Sequence, residues 1–90
     1  MITIRTLPQF DDWLSGLRDG VTKRRLVANL GDIKPVGSGI FEMREHFGPG
    51  WRMYYVQRGT VLIVMLGGGD KSTQDADINE AKRLADSLED

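Results

Sequence analysis

The fold of this chain is decided by the stretch FEMREHFGPGWRMYYVQRGTVLIVMLGGGDKSTQDADINEA, residues 41–81. Three segments with the patterning of strands, residues 40–47, 51–58 and 61–66, precede three glycines and a helical segment. Gly48-Pro49-Gly50 and Gly59-Thr60 are strong turn signals between them. Because residues 61–66 are apolar on both faces, they are expected to form a central strand that ends at the glycines.

The flanking segments predict a short first strand and three helices. Alternating apolar residues indicate the strand at residues 2–7, and a capping box of Thr6 and Gln9 predicts a helix from near Leu7. A second, short helix is expected at residues 21–30 and a last one at residues 73–88. The order β-α-α-β-β-β-α predicts an α+β fold with a small antiparallel twisted sheet, in a single domain over residues 1–90.

Composition limits the classes of protein to which the chain can belong. Its 90 residues suffice for one domain with a small core, which buries only ~60% of the unfolded surface. It has no cysteine, and its longest apolar run, Val61 to Leu66, is far shorter than the ~18 residues of a membrane span. We therefore expect a cytoplasmic protein with no membrane association and no thiolate metal site.

The net charge of −1 hides an uneven distribution of charge. Residues 1–71 contain ten Lys and Arg against seven Asp and Glu, a balance of +3. Residues 72–90 contain two against six, a balance of −4. The acidity is confined to the last helix, so the rest of the chain remains compatible with a nucleic-acid partner.

Four basic residues are expected to converge on one phosphate. Arg44 and His46 share a strand face by the period of two, and Arg52 follows directly after the turn. Lys71 lies where the next strand ends. Ribonucleases without a metal use such groups to transfer protons and to stabilise the charge on phosphorus, and histidine titrates near neutral pH. The alternative is that the arginines are ordinary sheet-face charges paired with Glu42, and that the histidine is structural.

Other residues could contact a nucleotide or RNA. GGGDKST resembles a phosphate loop, but that motif would need glycines where Met65 and Asp70 stand, so no nucleotide cofactor is expected. Lys34, placed on a loop beside Pro35, is a candidate RNA contact. Tyr54 shares a face with Arg52 and could stack on a base.

Three ordered blocks carry a resemblance to a known family. They read GDIKPVG at residues 31–37, EMREHFGPGWR at 42–52 and GGGDKSTQD at 67–75. Together they resemble the RelE/HigB toxins of type II toxin–antitoxin (addiction) modules, in the phage-derived HigB-type branch. The resemblance implies a RelE/ParE-like toxin fold and a metal-independent mRNA endoribonuclease that needs no cofactor, acts on translating ribosomes and inhibits translation.

The same resemblance implies roles and partners. It gives Arg52 the phosphate-stabilising role, and it aligns Arg44 and Lys71 approximately with a strand lysine and a second arginine. Gln74 falls near the place where some members carry a tyrosine, and so becomes a candidate RNA contact. The implied partners are the ribosome with its mRNA and a cognate helix-turn-helix antitoxin.

Two alternatives remain open at this point. One is a toxin of the same fold that acts on DNA gyrase, as ParE-like proteins do, although those lack the cleaving residues. The other is a decayed toxin that retains only antitoxin binding. The segment between Asp19 and Gly31 is about two helical turns shorter than in members of the branch, which favours the second alternative.

Overall fold

A computed structural model describes residues 3–17, 20, 32–45, 48–59 and 62–88. The described elements are β1 (Thr3–Thr6), α1 (Pro8–Gly16), β2 (Asp32–Gly37), β3 (Ile40–Arg44), β4 (Arg52–Arg58), β5 (Leu62–Gly69), a 3₁₀ turn (Lys71–Thr73) and α2 (Gln74–Ser87). The helix predicted at residues 21–30 lies outside the described residues. The α+β class is confirmed.

The described strands form one five-stranded sheet with the order β1-β5-β4-β3-β2. β1 runs parallel to β5, whereas the other neighbouring pairs are antiparallel. The prediction of a purely antiparallel sheet is therefore wrong at one edge. β5 lies inside the sheet, between β1 and β4, which confirms the central position expected from its apolar character.

The loop predicted around Lys34 is a strand. Residues of β2 from Asp32 to Pro35 pair with β3 from Arg44 to Phe41. Pro35 concealed this strand in the sequence, because proline lacks the N–H that a sheet ladder uses. On an edge strand such as β2 that loss is tolerated.

The two described helices lie on opposite faces of the sheet. The α1 face has a core of Phe10, Met53, Tyr55 and Met65, against which other apolar residues pack: Trp13, Leu14, Leu17, Phe41, Met43, Trp51 and Ile63. The α2 face has a core of Ile40, Tyr54, Val56, Val64, Leu66, Ala81, Leu84 and Ala85. Both described helices thus direct apolar side chains at the sheet.

The first helix begins without the predicted capping box. Thr6 is held in β1 opposite Met65, and the N-cap is Leu7, whose side chain cannot cap. The Leu7 N–H donates instead to the Met65 carbonyl, 3.0 Å away, and Pro8 occupies the first turn. Pairing with β5 therefore sets the start of the helix.

The prediction that the three glycines end the strand is wrong, because all three belong to β5. Tyr55 pairs with Met65 and Tyr54 with Gly67, so Leu66 is an extra residue in a β-bulge. After this bulge a Cβ on Gly68 would lie 2.5 Å from the Trp13 ring, on the α1 face. A Cβ on Gly69 would overlap Asp77, on the α2 face. The glycines let both helices approach the end of β5.

Neither described helix is both long and apolar enough to cross a membrane.

We predict that Gly68→Ala destabilises the protein and that Gly67→Ala does not. The new methyl group at 68 would collide with the packed Trp13 ring, whereas nothing lies within 4 Å of the Cβ position at 67. Overpacking of this kind costs about 1–3 kcal/mol of unfolding free energy. Urea unfolding of both variants measures the difference, and equal midpoints would contradict the close approach of Trp13.

Candidate functional site

Arg44 and Arg52 meet on the α2 face of the sheet. They are directly opposite each other in the β3–β4 register, and Arg52 is flanked on its other side by Gly69. The chain then enters the 3₁₀ turn at Lys71, whose Cβ lies 3.5 Å from the position that a Cβ on Gly50 would take. Three of the four basic residues singled out in the sequence therefore come together. The fourth, His46, lies outside the described residues.

A cavity of about 360 Å³ lies among these cations. It is lined by Arg44, Glu45, Gly48, Pro49, Gly50, Arg52 and Lys71. Three side chains of this lining are cationic and one is anionic. The cavity therefore favours an anionic group, and it is large enough to admit a phosphate.

Lys71 is held at the cavity by the turn that contains it. The Asp70 carboxylate accepts hydrogen bonds from the Ser72 backbone N–H, at 2.8 Å, and from the Ser72 hydroxyl, at 2.5 Å. These hydrogen bonds lower the pKa of Asp70, because they stabilise its ionised form. Lys71 itself remains exposed.

The centre of the cluster is Glu42, which is fully buried at 0% exposure. Its Oε1 accepts a hydrogen bond from Arg44 Nε and lies 3.6 Å from Arg52 Nε. Its Oε2 accepts a hydrogen bond from Gln74 Nε2 at 2.9 Å. The pairing with Glu42 that the sequence offered as an alternative is thus present, and it coexists with the cavity.

The two arginines are held differently. Arg52 is 8% exposed, and its Nη1 donates to the Gly50 carbonyl at 2.9 Å. Its Nε has no hydrogen-bond partner among the described residues, since 3.6 Å to Glu42 is an ion-pair distance. The side chain of Arg44 is 30% exposed. Its hydrogen bond to Glu42 and the charge of that carboxylate raise the pKa of Arg44, so it is always cationic.

The residues predicted to contact RNA lie elsewhere or have other partners. Tyr54 is fully buried in the α2-face core, so the prediction that it stacks on a base is wrong: the register that gives it the face of Arg52 also places it under α2. Lys34 is exposed on β2 and does not line the cavity. Gln74 begins α2 and binds Glu42 through its amide.

Burial governs the chemistry of both tyrosines. The Tyr54 hydroxyl has no hydrogen-bond partner among the described residues. Its burial, and then the negative charges of Glu42 and Asp77, strongly raise its pKa. Burial also raises the pKa of Tyr55. Neither phenol is ionised at neutral pH.

Among the described residues, no three His, Asp or Glu side chains are grouped closely enough to hold a metal ion. The strongest feature that the sequence left unassigned is the central position of Glu42. The period of two placed it on the face of Arg44, but only the packing of α2 over that face shows that it is sealed from solvent.

No protein-family model matches the chain. It is similar to an uncharacterized protein of Haemophilus influenzae (strain ATCC 51907 / DSM 11121 / KW20 / Rd), with 46% identity over 95 residues. The match covers 97% of this chain and 96% of the relative. The similarity therefore extends over nearly the whole chain and is not confined to one motif.

We predict that the folded protein resists ionisation of its two tyrosines at the pH near 10 where free tyrosine titrates. Both pKa values are raised, so above that pH the unfolded chain releases protons that the folded chain retains. The free energy of unfolding should be insensitive to these groups below pH ~10 and should fall as the pH rises further. Tyrosinate absorbance and urea unfolding across this range measure both effects.

Tyr54→Phe is the matched control for that titration. Without the hydroxyl, the variant should lose most of the alkaline decrease in stability. Tyrosinate absorbance that appears in the folded protein near pH ~10 would contradict the burial of the hydroxyl.

Proposed function

We propose that this chain, which belongs to the same family as the Haemophilus influenzae protein, is the toxin of a toxin–antitoxin module and an mRNA endoribonuclease. The proposal includes a RelE/ParE-like toxin fold of the HigB-type branch. The observation that carries it is the convergence of Arg44, Arg52 and Lys71 on one cavity that can admit a phosphate.

The chemistry proposed for the cavity is attack of an RNA 2′-hydroxyl on the adjacent phosphorus. A new O2′–P bond forms, the P–O5′ bond breaks, and the products are a 2′,3′-cyclic phosphate and a 5′-hydroxyl. The 2′-hydroxyl loses a proton and the departing 5′-oxygen gains one. Extra negative charge accumulates on the phosphoryl oxygens in the transition state, where fixed cations are most effective.

The roles follow from how each cation is held. Arg52 is anchored at the wall of the cavity by the Gly50 carbonyl and Glu42, so it is proposed to stabilise the transition state. Arg44 and Lys71, which are more exposed, are proposed to bind the flanking phosphate charge. His46 is the proposed proton-transfer group, because its ordinary pKa of about 6.5 suits that task.

The nearly neutral net charge of the protein bears on where the enzyme works. A protein of net charge −1 has little long-range attraction for free RNA. We therefore propose mRNA on the translating ribosome as the substrate, with the ribosome supplying most of the binding surface. A cognate helix-turn-helix antitoxin is the proposed partner, and the cytoplasm is the proposed site of action.

We predict that Arg52→Ala lowers the rate of mRNA cleavage on translating ribosomes about 100-fold or more, as loss of one transition-state donor does. In this variant Glu42 still accepts hydrogen bonds from Arg44 and Gln74, so we expect the fold to persist. Thermal unfolding of the variant measures this. Arg83→Ala is the control, because Arg83 is an exposed arginine paired only locally with Glu80 in the described structure.

Three assays distinguish the proposal from its alternatives. Induced expression should arrest growth, and transcript mapping should show new 5′ ends within translated regions. Inhibition of gyrase supercoiling with intact transcripts would instead identify a ParE-like toxin. Unimpeded growth of cells that contain the folded protein would identify a decayed toxin.

A further inference from the structure

We propose that Glu42 is a positioning residue of the cleavage site, which orients the guanidinium group of Arg52 and, with it, that of Arg44. This inference rests on the proposed function and deepens it. No sequence motif assigned Glu42 such a role. The contacts that its carboxylate makes, and its absence from the lining of the cavity, support this role.

The carboxylate of Glu42 joins three elements of the fold. Oε1 faces Arg44 of β3 and Arg52 of β4, and Oε2 is occupied by Gln74 of α2. A fully buried carboxylate is costly unless it is paired and hydrogen-bonded. The requirement to satisfy Glu42 therefore fixes where these three partners lie.

Glu42 acts on the cavity through its partners. It is not among the residues that line the cavity, whereas both arginines are. Both of its oxygens already have partners, so it is poorly placed to accept a proton from a substrate. This arrangement distinguishes a positioning residue from a catalytic base.

Arg52, the more buried of the two arginines, is held at two points, and Glu42 supplies one of them through an ion pair. Its Nη1 is bound to Gly50 and its Nε faces Glu42, so two separate points fix the plane of the guanidinium. Arg44 has one such contact with the carboxylate and is more exposed. Loss of Glu42 should therefore misplace Arg52 at the edge of the cavity, and misplacement by ~1 Å can cost about 100-fold in rate.

The balance of charge explains why a single carboxylate serves two arginines. Like charges directly opposite each other on neighbouring strands are destabilising, and Arg44 and Arg52 are such a pair. One Glu42 between them offsets the repulsion and leaves one positive charge in excess. Lys71 adds a second positive charge and Glu45, in the lining of the cavity, offsets one, so a formal balance of +1 remains for an anion in the cavity.

The test is a double-mutant cycle of Glu42→Gln with Arg52→Ala, read as single-turnover cleavage on translating ribosomes. We expect Glu42→Gln alone to slow cleavage by about 10- to 100-fold with little change in substrate affinity. In the Arg52→Ala background it should cause little further loss, because it acts through Arg52. Equal losses in the two backgrounds would overturn the proposal.

Glu42→Asp covers the case in which Glu42→Gln does not fold. Aspartate keeps the charge but retracts the carboxylate by one methylene, so a positioning role requires slower cleavage from a folded protein. Cleavage at the wild-type rate in Glu42→Asp would overturn the proposal, since charge alone would then suffice.

Nuclear magnetic resonance of the arginine Nε–H groups supplies a readout that does not need activity. Glu42→Gln should shift the Arg44 and Arg52 signals and leave that of Arg83 unchanged. The control Glu80→Gln should do the reverse, because Glu80 pairs with Arg83, and it should cleave normally. Unchanged Arg44 and Arg52 signals in Glu42→Gln would overturn the orienting contacts.

The two readouts separate the two proposals. If the wild-type protein cleaves no RNA while Glu42→Gln shifts the arginine signals, the proposed function is wrong and Glu42 only organises a cation cluster. If the wild-type protein cleaves and Glu42→Gln cleaves equally well, the positioning role alone is wrong.

Discussion

A carboxylate without contact to solvent must be surrounded by donors, and Glu42 imposes this constraint on one end of the molecule. Removing one partner of a buried pair typically costs about 3–5 kcal/mol, because the remaining charge is left uncompensated. Two strands and the last helix each supply a partner to Glu42. The geometry of the site therefore depends on the packing of α2 on the sheet, because Gln74 of α2 is one of these partners.

The bulge in β5 provides the space for that packing. The extra residue Leu66 shifts the alternation of the strand, so Gly68 faces α1 and Gly69 faces α2, the reverse of what unbroken alternation from Met65 would give. Because β5 extends to Gly69, the chain enters the 3₁₀ turn beside Arg52, and Lys71 reaches the cavity. A strand that ended at Leu66, as the sequence predicts, would have ended three residues earlier.

Local patterning predicted the elements well wherever apolar spacing was strong. The strands around Phe41, Met53 and Val64 followed from periodicity, and the turn at Gly48–Gly50 predicted that Arg52 returns to Arg44. The errors lie where tertiary contacts decide. Pro35 argued against a strand that exists because it lies at an edge, and Thr6 was a good cap in isolation but is held in β1. Tyr54 shares the face of Arg52, yet α2 covers it, and periodicity contains no information about which part of a face is covered.

The parallel pairing of β1 with β5 has a consequence for the order of assembly. Thr3 lies beside Leu62 and Thr6 beside Met65, so β1 can pair fully only after the chain has been synthesised through residue 65. The β3–β4 pair, in contrast, needs only nearby residues, and local contacts form faster than distant ones. We therefore expect Arg44 and Arg52 to meet early, when β3 pairs with β4. The pairing of β1 with β5 is expected to follow later.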